Sequence, residues 1–167
     1  MPEMEKEIDH KIRTRMPSID LNTLLETKKY NKFQAVMRKP FHIFDRRERM
    51  TLKQVKEHMD WIKEDYHDVI RQEVRKKPDQ ADKTIKAVVS EIKREHEHAL
   101  AVMQNEFEQD PNKYPLGTVL DTSSVTIHQK THLKEGQESK IHLKPTFKYK
   151  HAFLVTPEGV KSFMKFK

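Results

Sequence analysis

Two amphipathic stretches, separated by a single proline, fill residues 51–110 and limit how the chain can fold. Thr51-Leu52-Lys53-Gln54 fits a capping box, in which the Thr hydroxyl and the Gln side chain satisfy amide donors that a helix start leaves unpaired. Apolar residues follow at Leu52, Val55, Met59, Ile62, Tyr66 and Val69, in steps of three and four, and Ile70 and Val74 widen this stripe. Pro78 stops the helix, because it lacks an amide donor and restricts the residue before it.

A second helix starts near Gln80 or Ala81, with a stripe at Ile85, Val88, Ile92, Ala99, Val102, Met103 and Phe107, and Asp110-Pro111 closes it. Each helix is about 27 residues, or roughly 40 Å long. The short link between them predicts an antiparallel hairpin. In that register Val69 faces Val88, Tyr66 faces Ile92, Met59 faces Ala99 or Leu100, Val55 faces Met103, and Leu52 faces Phe107. Glu73 and Glu95 interrupt the stripes. Two one-striped helices leave a side uncovered, so a third element or a second copy of the chain is expected there.

The 167 residues suffice for one domain, or one domain and an arm. Equal hydrophobic and charged contents of 35% suit long exposed helices better than a thick globule. Three glycines leave little for phosphate-binding Gly-rich loops, and the lack of cysteine removes disulfides and thiolate metal sites. No apolar run approaches the roughly 20 residues needed to span a bilayer. The N-terminus, with four acids in its first nine residues, lacks the apolar core of a signal peptide. An intracellular place, cytoplasmic or inside a particle and away from membranes, is expected.

The net charge of +7 is unevenly spread: residues 1–50 carry 12 basic and 8 acidic side chains, 51–110 carry 11 and 14, and 111–167 carry 10 and 4. Basic ends therefore flank a mildly acidic hairpin, and the ends are the parts suited to a polyanion.

Before the hairpin, Met4, Ile8, Ile12 and Met16 fall at helical spacing up to Pro17, and a second helix is expected from Asn22 to Met37, before Pro40. Phe41, Ile43 and Phe44 then precede Arg46, Arg47 and Arg49. The aromatic knot either plugs the hairpin or anchors a protein partner, with the arginines set on an acidic surface.

After Pro111 the pattern changes to alternation. Val125, Ile127, Leu133, Ile141, Leu143, Phe147, Tyr149, Phe153 and Val155 all carry odd numbers. Strands are expected at about 124–133, 140–144 and 147–155, with a turn at 134–139. Thr156-Pro157-Glu158 has the Thr cap, early proline and early acid of a helix start. Phe153 to Val160 resembles the strand-to-helix passage that ends many winged-helix domains, over eight residues; the long central helices depart from that family's compact helix-turn-helix. The expected fold is α+β: a residue 1–50 arm of short helices, a helical hairpin over 51–110, and a small antiparallel sheet with a short C-terminal helix over 111–167.

Alternation places the even residues together. His128, Lys130, His132 and Lys134 then share a face with Lys140, His142, Lys144, Lys148 and Lys150. Such a surface either keeps exposed strands from aggregating or takes a phosphate backbone independently of base sequence. Phe147 and Tyr149 belong to the apolar face, so no aromatic stacking platform is expected.

Glu64-x-x-His67 and Glu95-x-x-His98 have the spacing of carboxylate-bridged metal bundles. The register turns Glu64 and His67 to solvent and Glu95 inward, so the pairs do not meet, and neither metal nor cofactor is expected. His128, His132 and His142 could serve as ligands, or as acid and base in a small ribonuclease, without a paired carboxylate. The leading expectation is a non-enzymatic basic accessory or structural subunit that touches nucleic acid through the Lys/His face. The alternative is a protein–protein assembly or scaffolding subunit, as in a virion or another multi-protein particle, that associates through its hairpin and arm.

Overall fold

The computed structural model describes residues 2–30, 34–37, 46–49, 51–122, 127–134, 137–143 and 147–167; over 34–37, 46–49, 127–134 and 137–143 the backbone alone is described. The fold is α+β. In chain order come α1 (Pro2–Arg15), β1 (Ser18–Ile19), α2 (Leu21–Glu26), β2 (Gln34–Met37), β3 (Arg46–Arg49), α3 (Leu52–Lys76), α4 (Ala81–Gln109), β4 (Val119–Asp121), β5 (Ile127–Lys134), β6 (Gln137–Leu143), β7 (Ala152–Thr156), β8 (Gly159–Ser162) and β9 (Met164–Lys165).

The hairpin forms where the stripes place it. The Thr51 hydroxyl accepts the Gln54 N–H at 3.2 Å, and Gln54 Oε1 accepts the Thr51 N–H at 2.9 Å, closing the capping box. Pro78 opens a single 3-10 turn over Pro78–Gln80, and α4 begins directly after it. Val55, Met59, Ile62, Tyr66, Ile70 and Val74 of α3 are buried, as are Ile85, Val88, Ile92, Ala99 and Met103 of α4. Each of the buried valines, isoleucines and methionines contributes about 1.5–3 kcal/mol over leaving it in water.

The uncovered side is filled by the chain itself. Helix α1 lies against both long helices and buries Ile12 and Met16 in their core. Arg13 bonds Glu64 at 3.1 Å and Lys11 approaches Asp82 at 3.5 Å. His67, expected in solvent, is buried, with Nε2 at 2.6 Å from Asp9 Oδ1 of α1. The heptad position that faces outward in a bare hairpin faces inward once a third helix is laid on it.

The expected helix over 22–37 stops early. Asp20 caps α2 by accepting the Asn22 and Thr23 N–H groups, and a 3-10 turn at Thr27–Lys29 ends it. The chain then enters β2, paired antiparallel with β3 and parallel with β4. A partner some 80 residues away leaves no trace in a local apolar pattern.

The five-stranded sheet has the order β3-β2-β4-β7-β8. In β7 successive side chains join different cores: Ala152 and Leu154 pack with α1 and α3, while Phe153 and Val155 pack with Ala99, Met103 and Leu120. All five β7 residues are buried, as in a strand covered on both faces. Val69 and Val88, and Tyr66 and Ile92, share the first core, as their register requires. At the open end Leu52, Val55 and Met59 belong to that core but Ala99, Leu100, Met103 and Phe107 to the second, so the pairings expected there give way to the inserted sheet.

The C-terminal helix is replaced by a hairpin. β7 and β8 pair antiparallel with Thr156 opposite Gly159, and the Thr156 hydroxyl donates to the Gly159 carbonyl at 2.7 Å. Proline fixes a φ that suits either a first helical turn or the second residue of a β-turn. Gly159, at φ +122, completes the turn, and Gln104 of α4 holds it by accepting the Val160 N–H at 2.8 Å. The winged-helix resemblance ends at that turn.

Candidate nucleic-acid interface

Strands β5 and β6 pair only with each other among the described strands and form a separate two-stranded ribbon. Their register sets His128 opposite His142, Lys130 opposite Lys140, His132 opposite Glu138 and Lys134 opposite Gln137, with an irregularity between His132 and Lys134. Directly opposed residues of an antiparallel pair share a face. The backbone therefore brings His128, Lys130, His132, Lys140 and His142, together with one acid, Glu138, to one side of the ribbon, and Ile127, Ile141 and Leu143 to the other. Lys144 lies outside the described residues.

The third strand does not join them. Regular pairing begins at Ala152, and residues 147–151 are held by Glu95 of α4 instead. Glu95 accepts the Lys148 N–H at 3.1 Å, the Tyr149 N–H at 2.8 Å and a contact from His151 Nε2 at 2.9 Å. Lys148 and Lys150, expected on the strand face, sit on the helices: Lys148 Nζ is 3.2 Å from Glu91, and Lys150 Nζ is 3.8 Å from Asp65. The Glu91 bond raises the Lys148 pKa further. A half-buried carboxylate that takes two amides and an imidazole outcompetes a strand neighbour, which explains why the odd-numbered alternation through Phe147 and Tyr149 does not make a strand.

His151 is fully buried, with Nδ1 at 2.7 Å from Tyr66 Oη, which donates to the Lys150 carbonyl at 2.6 Å. His96 Nε2 meets Ser162 Oγ at 2.7 Å. Burial lowers the His96 pKa to about 4, with His151 adding repulsion, and burial also lowers that of His151 against the pull of Glu95 and Asp121. The Ser162 hydroxyl also accepts the Met164 N–H and reaches the Met164 carbonyl, so the pair joins α4 to the C-terminal strands. Among the described residues no group of three or more His, Asp or Glu is arranged to hold a metal.

On the arm, Arg46, Arg47 and Arg49 fall in β3 at the sheet edge, opposite Met37, Val36 and Gln34. Phe41, Ile43 and Phe44 lie outside the described residues. No described helix is long and apolar enough to cross a membrane.

One exposed aromatic is not singled out by the apolar stripes. Trp61, the chain's only tryptophan, is 67% exposed on α3. Its neighbour Ile62 is on the stripe, so Trp61 stands at an outward position where a large apolar side chain is unusual, and that mismatch is the signal the sequence carries for it. Lys150 Nζ lies 5.5 Å from the indole centroid. Comparison with protein-family models, curated proteins and solved structures finds no match.

Proposed function

We propose that the protein is a non-enzymatic basic accessory subunit that works inside the cell and contacts nucleic-acid backbone through the β5–β6 ribbon. The observation that supports this is the ribbon's register. Lysine opposite lysine, at Lys130 and Lys140, weakens an isolated two-stranded ribbon in which one acid, Glu138 opposite His132, shares the face. A polyanion along that face reverses the sign of the effect and releases counterions. Lysines are point charges, suited to phosphates rather than to base edges.

The test is binding of a labelled oligonucleotide by the intact protein and by a Lys130→Glu/Lys140→Glu double variant. Binding that falls at least tenfold in the variant supports the reading. Equal affinity in both, or no binding at low salt, removes it.

The rival reading is a protein assembly subunit without nucleic acid. It draws on Leu21 and Leu25, exposed on α2, and on β3 at the sheet edge. Purified protein that forms a salt-insensitive oligomer, free of absorbance at 260 nm beyond its own, favours that reading.

A further inference from the structure

We infer that Trp61 and Lys150 form a stacking site for a base of single-stranded nucleic acid, with the lysine on the adjoining phosphate. The inference rests on the ribbon reading above and extends it from backbone contact to strand type. Trp61 projects from the middle of α3 with two-thirds of its surface open to solvent. Burying an indole against a base face is favourable and tolerates any base.

Lys150 supplies the second half. Its amine already sits beside the ring, which lets one cation serve both the π-face and a phosphate. It is 59% exposed, and its ion pair with Asp65 is long at 3.8 Å, so little is lost if a phosphate replaces that carboxylate. Of the acids near Trp61 on α3, Asp60 is bonded by Lys56 at 2.9 Å and Glu64 by Arg13 at 3.1 Å. Glu57 and Asp65 stand one turn to either side of Trp61 and oppose a phosphate, so stacking on the indole carries the site and Lys150 offsets those acids.

The position also fits. Lys150 follows β6 by seven residues, on the segment through which the chain returns from the ribbon. Tyr66 and Glu95 fix that segment through its backbone at Lys148, Tyr149 and Lys150. Those bonds hold Lys150 beside α3, where its amine can serve a strand stacked on Trp61.

The sole tryptophan makes the test specific. The full chain is titrated with a fluorescein-labelled oligothymidylate of about 15 nucleotides and with a duplex of equal length, following label anisotropy and, with unlabelled strands, tryptophan emission. Single-strand binding should quench the emission. Trp61→Ala should weaken single-strand binding by about 5- to 150-fold, and Trp61→Phe by less, with duplex binding unchanged. Unaltered single-strand affinity in Trp61→Ala, with unquenched emission in the parent, overturns the stacking site. If Lys130→Glu/Lys140→Glu still abolishes binding in that case, the ribbon reading survives alone. Absence of binding to either strand at low salt overturns both. Trp61 is exposed enough that Trp61→Ala should fold normally, and an unchanged far-UV circular dichroism spectrum checks this.

Discussion

His151 Nε2 lies 2.9 Å from Glu95 Oε1, one of three contacts by which Glu95 fastens the segment returning from the ribbon to the middle of α4. Glu95 interrupts the apolar stripe of its helix, yet the position is not wasted. Its carboxylate collects two backbone N–H groups and a buried imidazole that the inserted segment would otherwise leave without partners.

Removing that carboxylate should therefore destabilise the whole fold. Glu95→Ala is expected to cost about 1–3 kcal/mol, because it leaves the buried His151 imidazole and the half-buried Tyr149 N–H without that partner. Urea unfolding followed by circular dichroism measures it. A loss below about 0.5 kcal/mol would mean that water replaces the carboxylate and the joint is not structural.

Acid should weaken the fold before any carboxylate of ordinary pKa titrates fully. Folded His96 stays neutral down to about pH 4, whereas in the unfolded chain it takes its proton near 6.5. Between those values the unfolded state binds more protons, so stability falls as pH falls through the window. His96 alone accounts for about 3 kcal/mol at most. His151 is shifted the same way by burial, against Glu95 and Asp121, and adds to the loss. Urea midpoints at pH 7, 5.5 and 4.5 should decline in that order; a flat series contradicts the buried neutral histidines.

Gly159 should resist replacement. A Cβ there would lie 2.7 Å from Gln104 Oε1, and φ is +122, a conformation that L side chains rarely adopt. Gly159→Ala is expected to cost about 1–3 kcal/mol. Gln104→Ala should cost about 1 kcal/mol through removal of the bond to Val160. If Gly159→Ala is neutral in thermal melts, the turn is not what ends β7.

These joints also mark how far the fold is legible in the sequence. The two long helices, their boundaries and the capping box are local matters of apolar spacing, proline and hydrogen-bond chemistry, and they stand in the chain as the residues predict. The need for a third covering element is legible too, from a stripe with an open side. What depends on distant partners is not. β2 owes its strand to β4, β7 is buried on both faces by two different cores, and residues 147–151 leave the alternation because Glu95 holds their amides. Thr156-Pro157-Glu158 carries signals common to helix starts and turns, and packing against Gln104 decides between them. At the candidate interface, the facing of His128, Lys130, Lys140 and His142 follows from alternation, whereas Lys148 and Lys150 are drawn away by acids on the hairpin.

That division predicts unequal roles for the lysines. Lys148 is tied to Glu91, so Lys148→Ala should change nucleic-acid affinity by less than about twofold, within the small worth of an exposed ion pair. Lys130→Ala and Lys140→Ala should each cost more. Equal reductions at all three positions, measured by anisotropy under one salt condition, would return Lys148 to the binding face.

The most direct measurement is the slope of log affinity against log salt for a single-stranded oligonucleotide, compared between the intact protein and Lys130→Glu/Lys140→Glu. The ribbon should give a steep negative slope that becomes shallower by about 0.7 for each phosphate no longer neutralised, or about 1.4 in the double variant. A slope near zero in the intact protein, or one that the double variant leaves unchanged, would contradict the assignment of that ribbon to a phosphate backbone.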